Sequence, residues 1–206
     1  GHGILIDNNT YNLIYDNIIE NNDGDGIKLN HSDNNDITYN TVTDNANGMF
    51  LYNSSDNKID NNAVQDNNVN GIFLNETSNN NDIISNNFSD NTQNGIYLND
   101  HCNYNVISTN QIHSNGDSGI RLENSSLNTL SNNYNINSNT NYGIMIVGSS
   151  NIVQSNVVKY NEEHGMFLFA DDNNTISDNT ISGNTHDGIR LYNSTKDSIY
   201  RNEISG

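Results

Sequence analysis

Apolar and polar residues alternate along this chain in short bursts, and the bursts recur. A glycine followed by an apolar-x-apolar run appears nine times: Gly3-Ile4-Leu5-Ile6, Gly26-Ile27-Lys28-Leu29, Gly48-Met49-Phe50-Leu51, Gly71-Ile72-Phe73-Leu74, Gly95-Ile96-Tyr97-Leu98, Gly119-Ile120-Arg121-Leu122, Gly143-Ile144-Met145-Ile146, Gly165-Met166-Phe167-Leu168 and Gly188-Ile189-Arg190-Leu191. Successive glycines lie 23, 22, 23, 24, 24, 24, 22 and 23 residues apart. A fixed period in this range marks a repeat architecture, whose units bury their apolar faces only against one another. Each unit carries three strand signals, which in the second begin at Gly26-Ile27, at Asn35-Asp36-Ile37 and at Asn40-Thr41-Val42. The alternation has the period of two that strands with one buried face require, and no helical i, i+3, i+4 spacing runs through it. Three strands per unit fit one turn of a parallel β-helix, with each coil hydrogen-bonded to the next. The pattern predicts an all-β fold, a right-handed single-stranded parallel β-helix of nine coils with about 23 residues per coil. At about 4.8 Å per coil the rod is roughly 43 Å long.

Composition alone would point elsewhere. Only 32% of the 206 residues are hydrophobic and the net charge is −18, values that suit disorder. The few apolar residues recur at fixed positions, however, and that overrides the average. Asparagine supplies 49 residues and proline none, so no strand ladder contains an obligatory break. The asparagines fall into columns. One is Asn12, Asn35, Asn57, Asn81, Asn105, Asn128, Asn151 and Asn174; a second is Asn17, Asn40, Asn62, Asn86, Asn110, Asn156, Asn179 and Asn202; a third is Asn22, Asn45, Asn67, Asn91, Asn115, Asn139, Asn161 and Asn184. Asparagine tolerates the left-handed backbone of sharp corners, and its amide can bond the equivalent amide one coil along. Small bulges are expected near Asn79 to Asn81 in coil four and near Tyr134 in coil six.

The unit Gly-Ile-x-Leu-x-x-Ser-x-x-Asn-x-Ile-x-x-Asn-x-Ile-x-x-Asn resembles the parallel β-helix repeat of NosD-like proteins and of carbohydrate-binding and sugar-hydrolase β-helix domains. It is similar also to surface proteins of methanogenic archaea, including disaggregatases that act on cell-surface polysaccharide. The resemblance covers nearly the whole chain and implies a rod exposed outside the cell or on its surface. It does not imply a site, because the repeated residues build the frame.

Charge and length narrow the partners. Lys and Arg number 7 against 25 Asp and Glu, which removes nucleic acid and anionic membranes, since phosphate recognition needs clustered cations. No apolar run approaches the ~18 residues of a membrane span. Cys102 is the one cysteine and has no partner for a disulfide. Residues 1–206 read as one β-helix domain without a visible capping element, so a longer surface protein with flanking domains is expected. The triplets at Asn8, Asn30, Asn53 and Asn193 fit glycosylation sequons but arise readily in so Asn-rich a chain.

Chemistry must then use outward positions. The first outward column reads Leu5, Lys28, Phe50, Phe73, Tyr97, Arg121, Met145, Phe167 and Arg190, and the next contains Tyr52, Phe169 and Tyr192. Exposed rings at Phe50, Tyr52, Phe73, Tyr97 and Phe167, flanked by Arg121 and Arg190, suit an acidic polysaccharide, with rings under sugar faces and Arg on carboxylates or sulfates. A neighbouring domain covering the same stripe is the alternative. A second cluster precedes the last glycines. Stacking places Tyr142, His164 and Asp187 in one column and Asp117, Asn141, Glu163 and His186 in the adjacent one. Candidate catalytic groups are Glu163, His164, His186, Asp187 and Tyr142, for a polysaccharide hydrolase using paired carboxylates or a lyase using Arg with His or Tyr. A solvated charged corner explains the same residues without catalysis. No cofactor is required. Calcium is the one left open, at Asp23-Gly24-Asp25-Gly26 or Asp171-Asp172. The NosD resemblance raises copper, but the six histidines form no single column. The sequence thus supports a β-helix that recognises, and in one reading cleaves, an acidic polysaccharide. The alternatives are a structural spacer or adhesion module and a metal-related accessory protein.

Overall fold

The computed structural model describes residues 1–206 and contains 27 strands and no helix. Every third strand joins the same sheet, which gives three sheets of nine strands. The first runs from Ile4–Asp7 to Ile189–Tyr192, the second from Leu13–Tyr15 to Ser198–Tyr200 and the third from Ile18–Glu20 to Glu203–Ser205. Pairing is parallel, with equivalent residues in register: Ile27 faces Met49 and Ile37 faces Ile59. The expected architecture of nine stacked coils is the one observed.

Alternation decides which side chain enters the rod. Strands such as Ile72–Asn75 and Ile120–Glu123 bury their first and third residues and leave the second and fourth half-buried. The buried apolar residues form a single core of 32. Repeating glycines admit the first sheet to this core. A Cβ on Gly26 would lie 2.4 Å from Val42 Cγ1 and 2.7 Å from the Gly48 carbonyl, so only glycine lets consecutive coils approach there.

Asparagine ladders close the corners. Asn62 Oδ1 accepts both the backbone N–H and the amide of Asn40, at 2.9 and 3.0 Å, and the Asn40 amide also donates to the Ile14 carbonyl at 2.9 Å. One buried side chain thus satisfies a backbone donor on one side and a backbone acceptor on the other, which removes the desolvation cost of an uncovered corner. Asn133, 23 residues from both Asn110 and Asn156, fills the coil-six place of the second column that the sequence reading omitted, and accepts Asn110 at 3.0 Å. A bulge follows Asn133, between Gln111 and Ile112 against Tyr134–Asn137, at the position expected.

Two details differ from the sequence reading. The left-handed residue at each corner is the one before the ladder asparagine: Tyr39 (φ 58°) precedes Asn40, Asn61 (56°) precedes Asn62 and Ser85 (58°) precedes Asn86. The ladder amide must point inward along the axis, so the neighbour takes the strained conformation. The extra residue of coil four lies at Glu76 and Thr77, both left-handed, and the same pair recurs at Asp100 and His101 in coil five. Beside these turns runs a hydroxyl column of Ser32, Ser54 and Ser78, in which Cys102 takes the next place. Its thiol donates to the Asn99 carbonyl, the backbone N–H of Cys102 donates to Ser125 Oγ, and burial pushes the thiol pKa up to about 12.

Candidate functional site

The stack of strands turns the outward column of the first sheet into two aromatic groups. Phe50 and Phe73 stack at 5.0 Å and 6°, and Phe73 and Tyr97 at 4.9 Å and 13°. Parallel rings at nearly the strand spacing have their normals along the rod axis, so they offer edges to solvent and faces to one another. Cations close both ends of the stack, with Lys28 Nζ 5.0 Å from the Phe50 centroid and Arg121 Cζ 5.6 Å from that of Tyr97. Tyr52 meets Phe50 edge-on at 6.3 Å.

Arg121 is consumed internally. It pairs with Asp117 at 3.3 Å and with Glu123, and the Tyr97 hydroxyl donates to the same Glu123. Burial, followed by that hydrogen bond to a carboxylate, raises the Tyr97 pKa well above the ordinary phenol range. This knot in coils five and six separates the ring stack from a second group further along the rod.

The second group surrounds an open cavity of about 460 Å³ lined by Tyr142, Met145, His164, Phe167, Phe169, Arg190 and Tyr192. Register fixes its floor: Met145 pairs with Phe167, Phe167 with Arg190, and Phe169 with Tyr192. Tyr142 stacks on His164 at 5.8 Å and 7°, Phe167 lies 5.2 Å from Tyr142 and 5.7 Å from His164, and Phe169 stacks on Tyr192 at 5.7 Å.

The wall is an altered ladder. The residue before each glycine accepts the backbone N–H of its equivalent one coil on, through Asp25, Asn47, Asn70 and Asn94. In coils seven and eight this column becomes Tyr142 and His164. His164 keeps the ladder function, since its Nδ1 accepts the Asp187 N–H at 3.0 Å. Its Nε2 lies 3.5 Å from Arg190 Nη1, which is 3.7 Å from Asp187 Oδ2. His164 is buried; that burial lowers its pKa, against the opposing charge of Asp187. In the adjacent column His186 Nδ1 meets Glu163 Oε2 at 3.0 Å, and the two imidazoles sit edge to face at 5.5 Å.

The structure therefore brings together Tyr142, Glu163, His164, Phe167, His186, Asp187 and Arg190. It sets Phe50, Tyr52, Phe73, Tyr97 and Arg121 apart from them, beyond the knot. Met145, Phe169 and Tyr192 complete the cavity and were not placed there by sequence reasoning. The available signal was the change of the pre-glycine column to rings at Tyr142 and His164, beside the outward column in which Phe169 pairs with Tyr192.

The family model for a right-handed β-helix region matches residues 1–106. The chain belongs to the right-handed β-helix family. The model described as periplasmic copper-binding protein NosD matches residues 67–151 and 93–206. No curated protein sequence is a significant match. Solved structures with the same fold include a double mutant of the periplasmic alginate epimerase AlgG, at 15% identity and TM-score 0.80, covering 95% of this chain and 70% of that one. The A-module of the Azotobacter vinelandii mannuronan C-5 epimerase AlgE4 aligns at 18% identity and TM-score 0.75, over 88% of this chain and 59% of that one. An alginate lyase from Paenibacillus sp. aligns at 14% identity and TM-score 0.66, over 88% of this chain and 74% of that one.

The residues do not fit copper. No group of three or more His, Cys, Asp or Glu side chains is placed to hold a metal ion. The Cys102 thiol is buried in the hydroxyl column, and Met49 and Met166 are fully buried in the core. His164 Nδ1 is occupied by a backbone donor.

Proposed function

We propose that this β-helix binds an acidic polysaccharide outside the cytoplasm and acts on it at the groove of coils seven to nine. The observation that carries the reading is the convergence of an exposed guanidinium, Arg190, with the His164 imidazole and the phenols of Tyr142 and Tyr192 over an aromatic floor, with His186 edge to face on His164, in a chain of net charge −18. A strongly acidic surface repels polyanions, so a cation at the mouth of the largest groove has a recognisable task. The fold neighbours that are alginate epimerases and a lyase support the substrate class, and the periplasmic setting of AlgG and NosD supports the location.

Within this reading, proton transfer next to a sugar carboxylate suits the groups better than hydrolysis. A glycosidase general acid needs a carboxyl whose proton is retained by apolar surroundings. Glu163 and Asp187 have side chains 41% and 59% exposed, each beside an imidazole or a guanidinium. Lyases and epimerases instead need a cation on the carboxylate and a base on the adjacent carbon, roles that Arg190 and an imidazole fill.

The experiment is incubation with alginate, polygalacturonate and a neutral glucan in deuterated water. Unsaturated uronates, or deuterium on the uronate ring carbon, are expected with the acidic polymers. Absence of both products and of measurable binding overturns the proposal. It would favour the spacer reading, which the closed ring stack of Phe50, Phe73 and Tyr97 supports on its own account.

A further inference from the structure

We infer that His164 and Arg190 together form a carboxylate-binding site, in which neutral His164 acts as a donor through Nε2–H and does not take up a proton. The inference rests on the polysaccharide reading of the groove and specifies how it holds its ligand.

The ladder fixes the tautomer of His164. A backbone N–H only donates, so His164 Nδ1, 3.0 Å from the Asp187 nitrogen, offers its lone pair. The single hydrogen of a neutral imidazole is then on Nε2. Burial holds the ring neutral, and the positive charge of Arg190 adds to the effect while Asp187 opposes it. Nε2 lies 3.5 Å from Arg190 Nη1, and both atoms carry hydrogens. Two donors therefore stand side by side without bonding each other. The His164 side chain is 8% exposed, which limits how much water can satisfy it. Asp187 Oδ2 lies 3.5 Å from Nδ1 and 3.7 Å from Nη1, so it offsets the guanidinium charge and makes no hydrogen bond to Nε2.

Two donors 3.5 Å apart, one of them cationic, call for an anionic oxygen. A planar two-oxygen group matches the guanidinium fork and leaves one oxygen for Nε2–H, which selects a carboxylate. The Phe167 ring, in register with Arg190 and 5.7 Å from His164, supplies an apolar wall for the sugar ring that bears it. In the adjacent column His186 Nδ1 lies 3.0 Å from Glu163 Oε2, outside the His164–Arg190 pair.

Long-range ¹H–¹⁵N correlation at pH 7 reads the tautomers with no ligand present. The expected pattern is Nε2–H on His164, and an Nδ1–H pattern there overturns the inference. Titration with D-glucuronate should move the His164 Nε2–H resonance, whereas methyl glucoside should not. Arg190→Gln should weaken glucuronate binding tenfold or more. His164→Asn, which keeps an acceptor for the Asp187 N–H, should weaken it several-fold. Equal response to both sugars, no response to glucuronate, or unchanged affinity in Arg190→Gln overturns the carboxylate site, even if polysaccharide binding stands. Preference for a sulfated monosaccharide overturns the choice of anion. Because the tautomer and monosaccharide measurements use no polymer, their failure is distinct from failure of the polysaccharide proposal.

Discussion

His164 Nδ1 accepts the backbone N–H of Asp187 at 3.0 Å, just as Asn94 Oδ1 accepts the backbone N–H of Ser118 three coils earlier. One imidazole thus caps a corner of the rod with one nitrogen and faces the groove with the other.

That double role separates stability from function in one pair of variants. His164→Asn should retain the cap and melt within a few degrees of the parent, while losing affinity for acidic sugars. His164→Leu leaves the Asp187 N–H without its partner at a part-buried corner and should cost about 1 kcal/mol. Chemical denaturation of both variants checks the difference.

The two arginines of the outward column should behave oppositely. Arg121 holds Asp117 and Glu123 and caps the Tyr97 ring. Arg121→Ala should lower the melting temperature and leave acidic-sugar binding intact, if the polysaccharide reading holds. Arg190 is exposed, and Arg190→Ala should do the reverse. Thermal scans with parallel binding isotherms distinguish them.

Stability should respond to pH through two groups of opposite sign. Asp171, buried where the hydroxyl column would place a serine, has its pKa pushed up to about 6, first by burial. The folded state then holds the extra proton between the ordinary carboxylate value and about 6, so Asp171 costs stability as pH rises through that window. His164, with its pKa lowered, costs stability as pH falls below the ordinary imidazole value of about 6.5, because the unfolded chain binds the proton first. Asp171→Asn should raise the melting temperature at pH 8 and change it little at pH 4. A variant equally stabilised at both values would place the cause in packing instead.

The ladders should be as costly to break as the core. Asn110 accepts the Asn86 backbone N–H at 2.9 Å and donates to the Ile83 carbonyl at 2.9 Å and to Asn133 at 3.0 Å. Asn110→Ala strands a donor and an acceptor in the interior and should cost at least about 1–3 kcal/mol. That is comparable with trimming a core isoleucine, which costs about 2–5 kcal/mol. Urea midpoints for Asn110→Ala and Ile107→Ala, side by side, test the equivalence.

Much of the fold was legible because its causes are local and repeated. The glycine spacing set the coil length, period-two alternation chose the inward residues, and each column of Asn22, Asn45 and Asn67 could be counted from the chain. Asn133, one period from both Asn110 and Asn156, could be counted in the same way. The insertion at Glu76-Thr77 could not be placed so, because an extra turn residue changes the count within a coil without changing residue type, and only the left-handed backbone pair locates it.

The candidate site was half legible. Stacking alone put Tyr142, His164 and Asp187 in one column beside Glu163 and His186, because register in a parallel stack follows from the period. What the sequence left undecided was which side chains were free. Arg121 and Arg190 occupy equivalent outward positions and read alike, yet Glu123 and Asp117 consume the first while the second stays exposed. Phe73 and Phe167 likewise read as one stripe, but ring-on-ring stacking closes one group and leaves the other around a groove. The sequence by itself determined the rod, its core and its corners, since each depends on residues one period apart. Only the tertiary structure decided which outward groups pair with each other and which face solvent, because side-chain rotamers and charge pairing between coils are set by packing and not by the repeat.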